Sequence, residues 1–302
     1  MDPWERYAPI LDDPEAFRAA CDRPLPTAVR VNQLKATPER TIAALEAEGV
    51  SVEQAAWHPR TLLLDTDYPG RTWPYQHGWI HGQEEISQVP ATILDPDPTD
   101  IIWDVAAAPG GKATQLAAAV DPAGCVFAND VNLGRLTALR SNADRLGIAN
   151  MVVTHRDARE FTLDPFEIDA LDGALVDAPC SGEGTIRKNP VVTEDWEESR
   201  LHGIASLQEA MLKRAIRLTR PGGTVVYSTC TFAPEENEEV LAAVLKTEDC
   251  ALTAFDVGLT SAPGVTEWQG TAYPDTMRHV KRFYPHHNDT GGFVCAKLEV
   301  DG

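Results

Sequence analysis

The stretch IIWDVAAAPGGKATQLAAA (residues 101–119) decides the fold of this 302-residue chain. Ile101, Ile102 and Trp103 lead as a strand into Asp104. Small residues follow as far as Pro109-Gly110-Gly111, and an alanine-rich helical pattern starts at Lys112. Strand, tight turn and helix in that order are the repeating unit of an α/β fold. Gly110 and Gly111 let the backbone approach a ligand, and the helix N-terminus behind them favours negative charge. Two phosphate-binding readings fail on residue identity. A P-loop needs Gly-x4-Gly-Lys-Ser/Thr, whereas Ala106 occupies the first glycine position and Ala113 follows Lys112. The dinucleotide pattern G-x-G-x-x-G is absent.

Outward from this stretch the same rhythm repeats. Candidate strands are GCVFAND (124–130), MVVTHRD (151–157), GALVDA (173–178), GTVVYST (223–229) and GFVCAKLEV (292–300). Helical patterns lie between them, among them NLGRLTALRSNADRLG (132–147) and LQEAMLKRAIRLT (207–219). This alternation predicts a mainly parallel sheet covered on both faces. Towards the N-terminus, TAVRVNQL (27–34) and RTLLLD (60–65) read as strands. Between them lies a helix with Thr37 as N-cap, Pro38 at its first position and Gly49 past its end. The expected organisation is a small α/β domain over residues 1–75, a Pro/Gly/Trp-rich linker over 76–98 and a large domain over 99–302.

In such sheets ligands gather at the carboxyl ends of the strands. Asp130 stands 19 residues after Gly111, where an acid can accept from ribose hydroxyls. Asp157, after the next strand, suits an adenine amine, and Asp177 ends GALVDA. Acids after successive strands, without a phosphate loop, outline a nucleoside cofactor that lacks phosphates. S-adenosylmethionine fits.

Two cysteines also follow strands: Cys180 in DAPCSGEGT (177–185) and Cys230 in STCTF (228–232). Carbon 5 of cytosine is a poor nucleophile until a thiolate adds to carbon 6 and makes it enamine-like. An acid near ring nitrogen 3 stabilises the adduct, and Asp177 would serve if held protonated. A base then removes the carbon-5 proton, and the thiol leaves with help from a second cysteine. The chemistry alone accepts either thiol as nucleophile. Metal binding is the competing use of two thiols, but no histidine or third cysteine lies at ligand spacing near either, so no metal is expected.

Composition sets outer limits. No apolar run approaches the ~20 residues that span a bilayer, and the N-terminus has no signal pattern, so a cytoplasmic protein is expected. The six cysteines include no CxxC and are expected as free thiols without disulfide partners. The formal net charge of −20 fits halophilic adaptation to high salt. The alternative account of that acidity is a basic partner. The charge weighs against a nucleic-acid partner, whose affinity comes largely from phosphate contacts, without removing it.

AAAPGGKATQLA (106–117), DAPCSGEGT, RPGGTVVYSTCTFAPEENEEV (220–240) and TGGF (290–293) resemble the RNA 5-methylcytosine methyltransferases of the NOL/NOP/Sun family. VRVNQLKAT (29–37) and GWIHGQEEISQ (78–88) fit that group too. The resemblance covers most of the chain, from about Pro26 to the C-terminus. It implies a Rossmann-like S-adenosylmethionine methyltransferase domain with a mainly parallel seven-stranded sheet, plus a small N-terminal α/β domain that helps hold RNA. By resemblance, Ala106, Ala107, Ala108, Pro109, Gly110, Gly111 and Lys112 contact the cofactor, with Asp130 at the ribose, Asp157 near the adenine and Arg135 a weaker candidate. Asp177 lies between cofactor and cytosine. Cys230 is the implied nucleophile and Cys180 the residue that assists release. Departures are small: Thr231 stands where serine is common, and Glu183 replaces a small polar residue.

Candidates for RNA contact are Arg30, Lys35, Arg187, Lys188 and the cluster MRHVKRFYPHH (277–287), with Arg278, Lys281 and Arg282. His286 and two aromatics beside that cluster can stack unpaired bases. The target cytosine would have to flip out of any helix. The compact chain, without the added nucleic-acid-binding domain of some relatives, favours tRNA over rRNA. The alternatives are rRNA methylation, a non-catalytic RNA-binding assembly factor, and a small-molecule or protein methyltransferase on the same fold.

Overall fold

The computed structural model describes residues 3–194 and 196–302. Five strands build the parallel centre of the large sheet: β5 (Ile101–Asp104), β6 (Cys125–Asn129), β7 (Met151–Thr154), β8 (Leu171–Asp177) and β9 (Thr219–Thr229). Their spatial order is β9-β8-β5-β6-β7, every neighbouring pair parallel. All five therefore end at one edge, and the chain order reverses beside β5, where such sheets open a crevice.

The residue patterns give six strands and the resemblance implies seven; among the described residues the large sheet has nine. β15 (Phe293–Val300) runs antiparallel to β9, and β10 (Cys250–Thr253), β14 (Lys281–Phe283) and the two-residue β11 (Ala262–Pro263) extend that antiparallel side. A separate ribbon pairs β12 (Glu267–Trp268) with β13 (Thr271–Ala272). These added pieces have two to four residues each, too short to show a period-2 pattern.

The N-terminal sheet has the order β2-β3-β1-β4, all antiparallel, from β1 (Thr27–Val31), β2 (Val52–Gln54), β3 (Thr61–Leu64) and β4 (Ile80–Gly82). The helix Pro38–Ala47 packs on it through Leu45, and the Thr37 hydroxyl accepts from Arg40 N as the cap. Its edge strand β4 lies inside the stretch read as linker. The first helices also depart from the expected domain division. Tyr7 and Phe17 are fully buried in the large domain's core, with Phe17 edge-on to Phe232 at 5.3 Å between ring centroids. Burying two such rings stabilises by about 2–3 kcal/mol each, more than a surface helix gains alone. Trp103 on β5 stacks on Phe161 at 4.4 Å within the same core. Among the described residues no helix is long and apolar enough to cross a membrane.

Candidate active site

The strand ends place the predicted residues together. Asp104 closes β5, Asp130 follows β6 directly, Asp177 closes β8 and Cys230 follows β9 directly. Cys180 sits on the turn three residues beyond β8. A cavity of about 460 Å³ is lined by Ala106, Ala108, Pro109, Asp130, Arg135, Asp157, Asp177, Cys180 and Cys230. A second cavity of about 220 Å³ shares Ala106, Ala108, Pro109 and Asp177, and adds Ala107, Gly111, Lys112, Asp104, His81 and Lys188. Gly110 lines neither. Its φ of +106°, at the helix start, is the left-handed backbone that glycine adopts without strain.

The two thiols meet at the rim between strands: Cys180 Sγ and Cys230 Sγ are 3.2 Å apart. The hydrogen bond to Cys230, then burial, pushes the Cys180 thiol well above its ordinary value. Lys112 Nζ donates to Asp177 Oδ2 at 2.7 Å, and Ser228 Oγ donates to Asp177 Oδ1 at 2.8 Å. Burial pulls the Lys112 ammonium down, but Asp177 outweighs it and the net shift is upward. The pair is partly exposed, so it is weaker than a sealed ion pair. Both Asp177 oxygens are occupied as acceptors. Beside Asp177 the Lys112 ammonium offers a donor at the same strand end.

The acids of the larger cavity are held locally. Asp130 is buried and accepts from Ala108 N at 3.2 Å and Asn132 N at 2.8 Å, while Arg135 Nη1 stands 3.5 Å away. Arg135 also donates to Ala108 O. Asp157 caps the turn Ala158–Glu160 and pairs with Arg159. Asn129, Arg156 and Met211 also line this cavity, with nothing in the sequence to mark them.

Sequence reasoning passed over Asp104. Both its oxygens are buried without a hydrogen-bond partner, and the residue lines the second cavity. Burial, then the charge of Asp177, pushes its carboxyl up to about 8. Such a group calls for an ammonium partner or a proton. The α-amino group of S-adenosylmethionine is an ammonium of that kind; Asp104 lines the smaller cavity, and the adjoining cavity of about 460 Å³ is the size of a drug-like ligand site.

The RNA-contact candidates divide. Arg30 is buried and donates to Gln83 Oε1 and Thr114 Oγ1, tying β1 to the helix Gly111–Ala119. Arg187 donates to Arg23 O, Pro24 O and Thr290 O. Arg282 is fully buried against Glu238. These three guanidiniums hold the fold and do not face a polyanion, which corrects the sequence expectation. The two aromatics beside the cluster, Phe283 and Tyr284, are core residues as well, and the His286 side chain is largely buried. Lys35 Nζ is spent on His77 O and Arg145 O. Lys188 and Arg278 are exposed and Lys281 half-buried, and of the three Lys188 borders a site cavity. Sequence spacing also missed one cluster: Asp12, His286 and His287 bring their ligand atoms within 4.8 Å of one another, a grouping that could hold a metal ion. Both Nε2 atoms lie 2.9 Å from the Asp12 carboxylate.

A Rossmann-like sheet with strand-end acids around a nucleoside-sized cavity defines an S-adenosylmethionine-dependent methyltransferase. The chain belongs to the RsmB/F methyltransferases of the NOL/NOP/Sun family: residues 91–299 match the family described as 16S rRNA methyltransferase RsmB/F, and residues 4–70 match the ferredoxin-like domain of RsmF/B-like methyltransferases. It is 37% identical over 297 residues to the tRNA (cytosine(49)-C(5))-methyltransferase of Pyrococcus abyssi, covering 97% of this chain and 94% of that one. It is 35% identical over 292 residues to ribosomal RNA small subunit methyltransferase F of Shewanella loihica, covering 94% of this chain but 58% of that one. The crystal structure of a methyltransferase homolog from Pyrococcus horikoshii superposes with a TM-score of 0.85 at 30% identity, over 96% of this chain and 91% of that one.

Proposed function

We propose that this protein methylates carbon 5 of cytosine in RNA, with tRNA as the favoured substrate, through a covalent bond between Cys230 and carbon 6. The observation that carries the reading is the 3.2 Å approach of two thiols, from two different strand ends, on the wall of the cofactor-sized cavity. A small-molecule methyltransferase has no use for that pair.

The cofactor would be held by the Ala106–Gly111 turn, Asp130 and Asp157, with Asp104 towards its amino group. When bound it supplies the electrophilic methyl group. Cys230 adds through sulfur to carbon 6, which moves electron density onto carbon 5. The Lys112 ammonium, held by Asp177, is the nearby donor for the cytosine ring edge, and Asp177 accepts from the exocyclic amine. After methylation carbon 5 loses its proton to a base, the C5–C6 double bond re-forms, and the C6–S bond breaks with its electron pair on Cys230. Cys180 assists that departure.

Likeness to the Pyrococcus abyssi tRNA enzyme over 94% of its length supports tRNA. The net charge of −20 supports a cytoplasm rich in salt as the working environment. Bisulfite sequencing of host RNA, with and without the gene, tests the reading. A cytosine that loses protection in the deletion and regains it with the wild-type protein, but not with Cys230→Ala, is the expected result. Unchanged protection at every cytosine overturns it.

A further inference from the structure

Glu236 is fully buried and closes the turn Pro234–Glu236, seven residues beyond the strand that ends in front of Cys230. Its side chain nevertheless reaches the other thiol's turn. Glu236 Oε2 accepts from Ser181 N at 3.1 Å and from Gln208 Nε2 at 2.8 Å, and Oε1 pairs with Ser181 Oγ. The same Gln208 amide donates to Pro179 O at 2.9 Å. The peptide groups on both sides of Cys180 are thus tied to one carboxylate, directly through Ser181 and through Gln208 at Pro179.

The proton count around Ser181 sharpens the picture. Its hydroxyl also lies 2.6 Å from Glu183 Oε2 and 2.8 Å from Thr231 Oγ1. One hydroxyl proton cannot serve two carboxylates, so the Glu183–Ser181–Glu236 chain holds an extra proton. Burial, with Glu183 adding its charge, pushes the Glu236 carboxyl up to about 7. The other oxygen of Glu183 is filled by Tyr7 and Trp196, each donating at 2.6 Å. The Tyr227 hydroxyl meets Glu236 only at its backbone oxygen. Arg6 is taken by Glu235 and Glu198.

We propose that Glu236 is the positioning residue of the release thiol: through Ser181 and Gln208 it fixes the turn that holds Cys180 Sγ against Cys230 Sγ. The inference rests on the covalent cytosine reading above and deepens it. When the C6–S bond breaks, the departing Cys230 thiolate is stabilised by the Cys180 S–H only while that turn keeps the two sulfurs in contact. In Glu236→Ala both acceptor oxygens are lost, Ser181 N and Gln208 Nε2 lose their shared partner, and the turn shifts. Misplacement on the scale of an ångström costs up to about a hundredfold in such a step.

The test follows the RNA–protein adduct in denaturing gels, with rates of formation and decay measured separately. Wild-type protein, Glu236→Ala, Gln208→Ala, Cys180→Ala and the double variant Glu236→Ala/Cys180→Ala are compared, with melting temperatures as a control. The expected result is adduct formation near the wild-type rate in Glu236→Ala, with decay slowed about tenfold to a hundredfold. Gln208→Ala reaches the same turn from the Pro179 side and should slow decay in the same direction, which covers a Glu236 variant that fails to fold. The double variant should decay no more slowly than Cys180→Ala alone, because both changes act through one sulfur. A merely structural role slows formation and decay together and overturns the proposal, as does a double variant in which the two factors multiply. If Cys180→Ala itself accumulates no adduct, the covalent reading fails first and the role of Glu236 falls with it.

Discussion

Lys112 Nζ and Asp177 Oδ2 stand 2.7 Å apart where Asp177 lines both cavities and Lys112 the smaller one, joining the helix after β5 to the end of β8. Residues 65 positions apart thereby form one hydrogen-bonded ion pair. Asp177→Asn removes the charge that keeps Lys112 protonated. Methyl transfer should fall at least about a hundredfold, since a positioned donor contributes about 10²–10⁴. Folding should lose about 2 kcal/mol, below the 3–5 kcal/mol typical of breaking a sealed pair, because this one is partly wet. Single-turnover assays and urea unfolding check both numbers. Wild-type turnover in Asp177→Asn would remove the pair from the chemistry.

Cys180 and Cys230 should separate cleanly by their trapped products. Cys230→Ala should give no RNA–protein band in denaturing gels and no methylation. Cys180→Ala should give a band that persists. The reverse pattern would exchange the two roles.

Asp104 makes the stability of the free protein depend on pH. Its folded pKa, about 8, lies above the unfolded value of 3.8, so the folded state keeps a proton that the unfolded state has released. Between about pH 4 and 8 the unfolded state binds fewer protons, and stability falls as pH rises. Below pH 4 both states are protonated and the effect vanishes. Asp104→Asn should therefore gain stability over wild type at pH 8 and match it near pH 4. The same variant should bind S-adenosylmethionine more weakly, by about tenfold, having lost a buried charge-assisted hydrogen bond. Urea titrations at the two pH values and calorimetric binding check each part, and equal stability differences at both pH values would show that Asp104 does not titrate.

Arg282 and Lys188 should behave oppositely. Arg282→Ala strands the fully buried Glu238 and should cost about 3–5 kcal/mol of stability. Lys188→Ala should leave the melting temperature unchanged and reduce the slope of log affinity against log salt by about 1, as expected for one lost phosphate contact. An unchanged salt slope would place RNA away from that wall.

Gly184 and Gly292 set the distance between the thiol turns and β15. Gly184 N donates to Cys230 O at 2.9 Å, and Gly292 N donates to Gly184 O at 2.8 Å. A Cβ on Gly184 would stand 2.2 Å from Gly292 O, closer than atoms approach. Gly184→Ala should displace the Cys230 backbone, whose carbonyl Gly184 N holds, and slow adduct formation by about an order of magnitude, the cost of a small misplacement. Formation at the wild-type rate would show that the loops tolerate separation.

The amino-acid sequence by itself determined the parallel α/β core, the strand ends that carry Asp130, Asp177 and Cys230, and the tight turn at Gly110. Each depends on local features: apolar runs, helix caps and glycine positions spaced by the geometry of one strand or helix. Cys180 and Cys230 were legible as a pair because both follow strands that the fold must bring to the same edge. Tertiary structure alone decided which charged groups remain available. Arg30, Arg187 and Arg282 look like surface cations in sequence, yet each is satisfied by amide, hydroxyl, carbonyl or carboxylate oxygens distant along the chain. Asp104 was passed over for the converse reason, since an acid at a strand end does not reveal that no partner reaches it. Glu236 is a further case, because the turn it ties lies 55 residues away. Pattern along a chain reports which face a residue takes within its own element; the hydrogen-bond partners of a buried polar group are chosen by the packing of elements against one another.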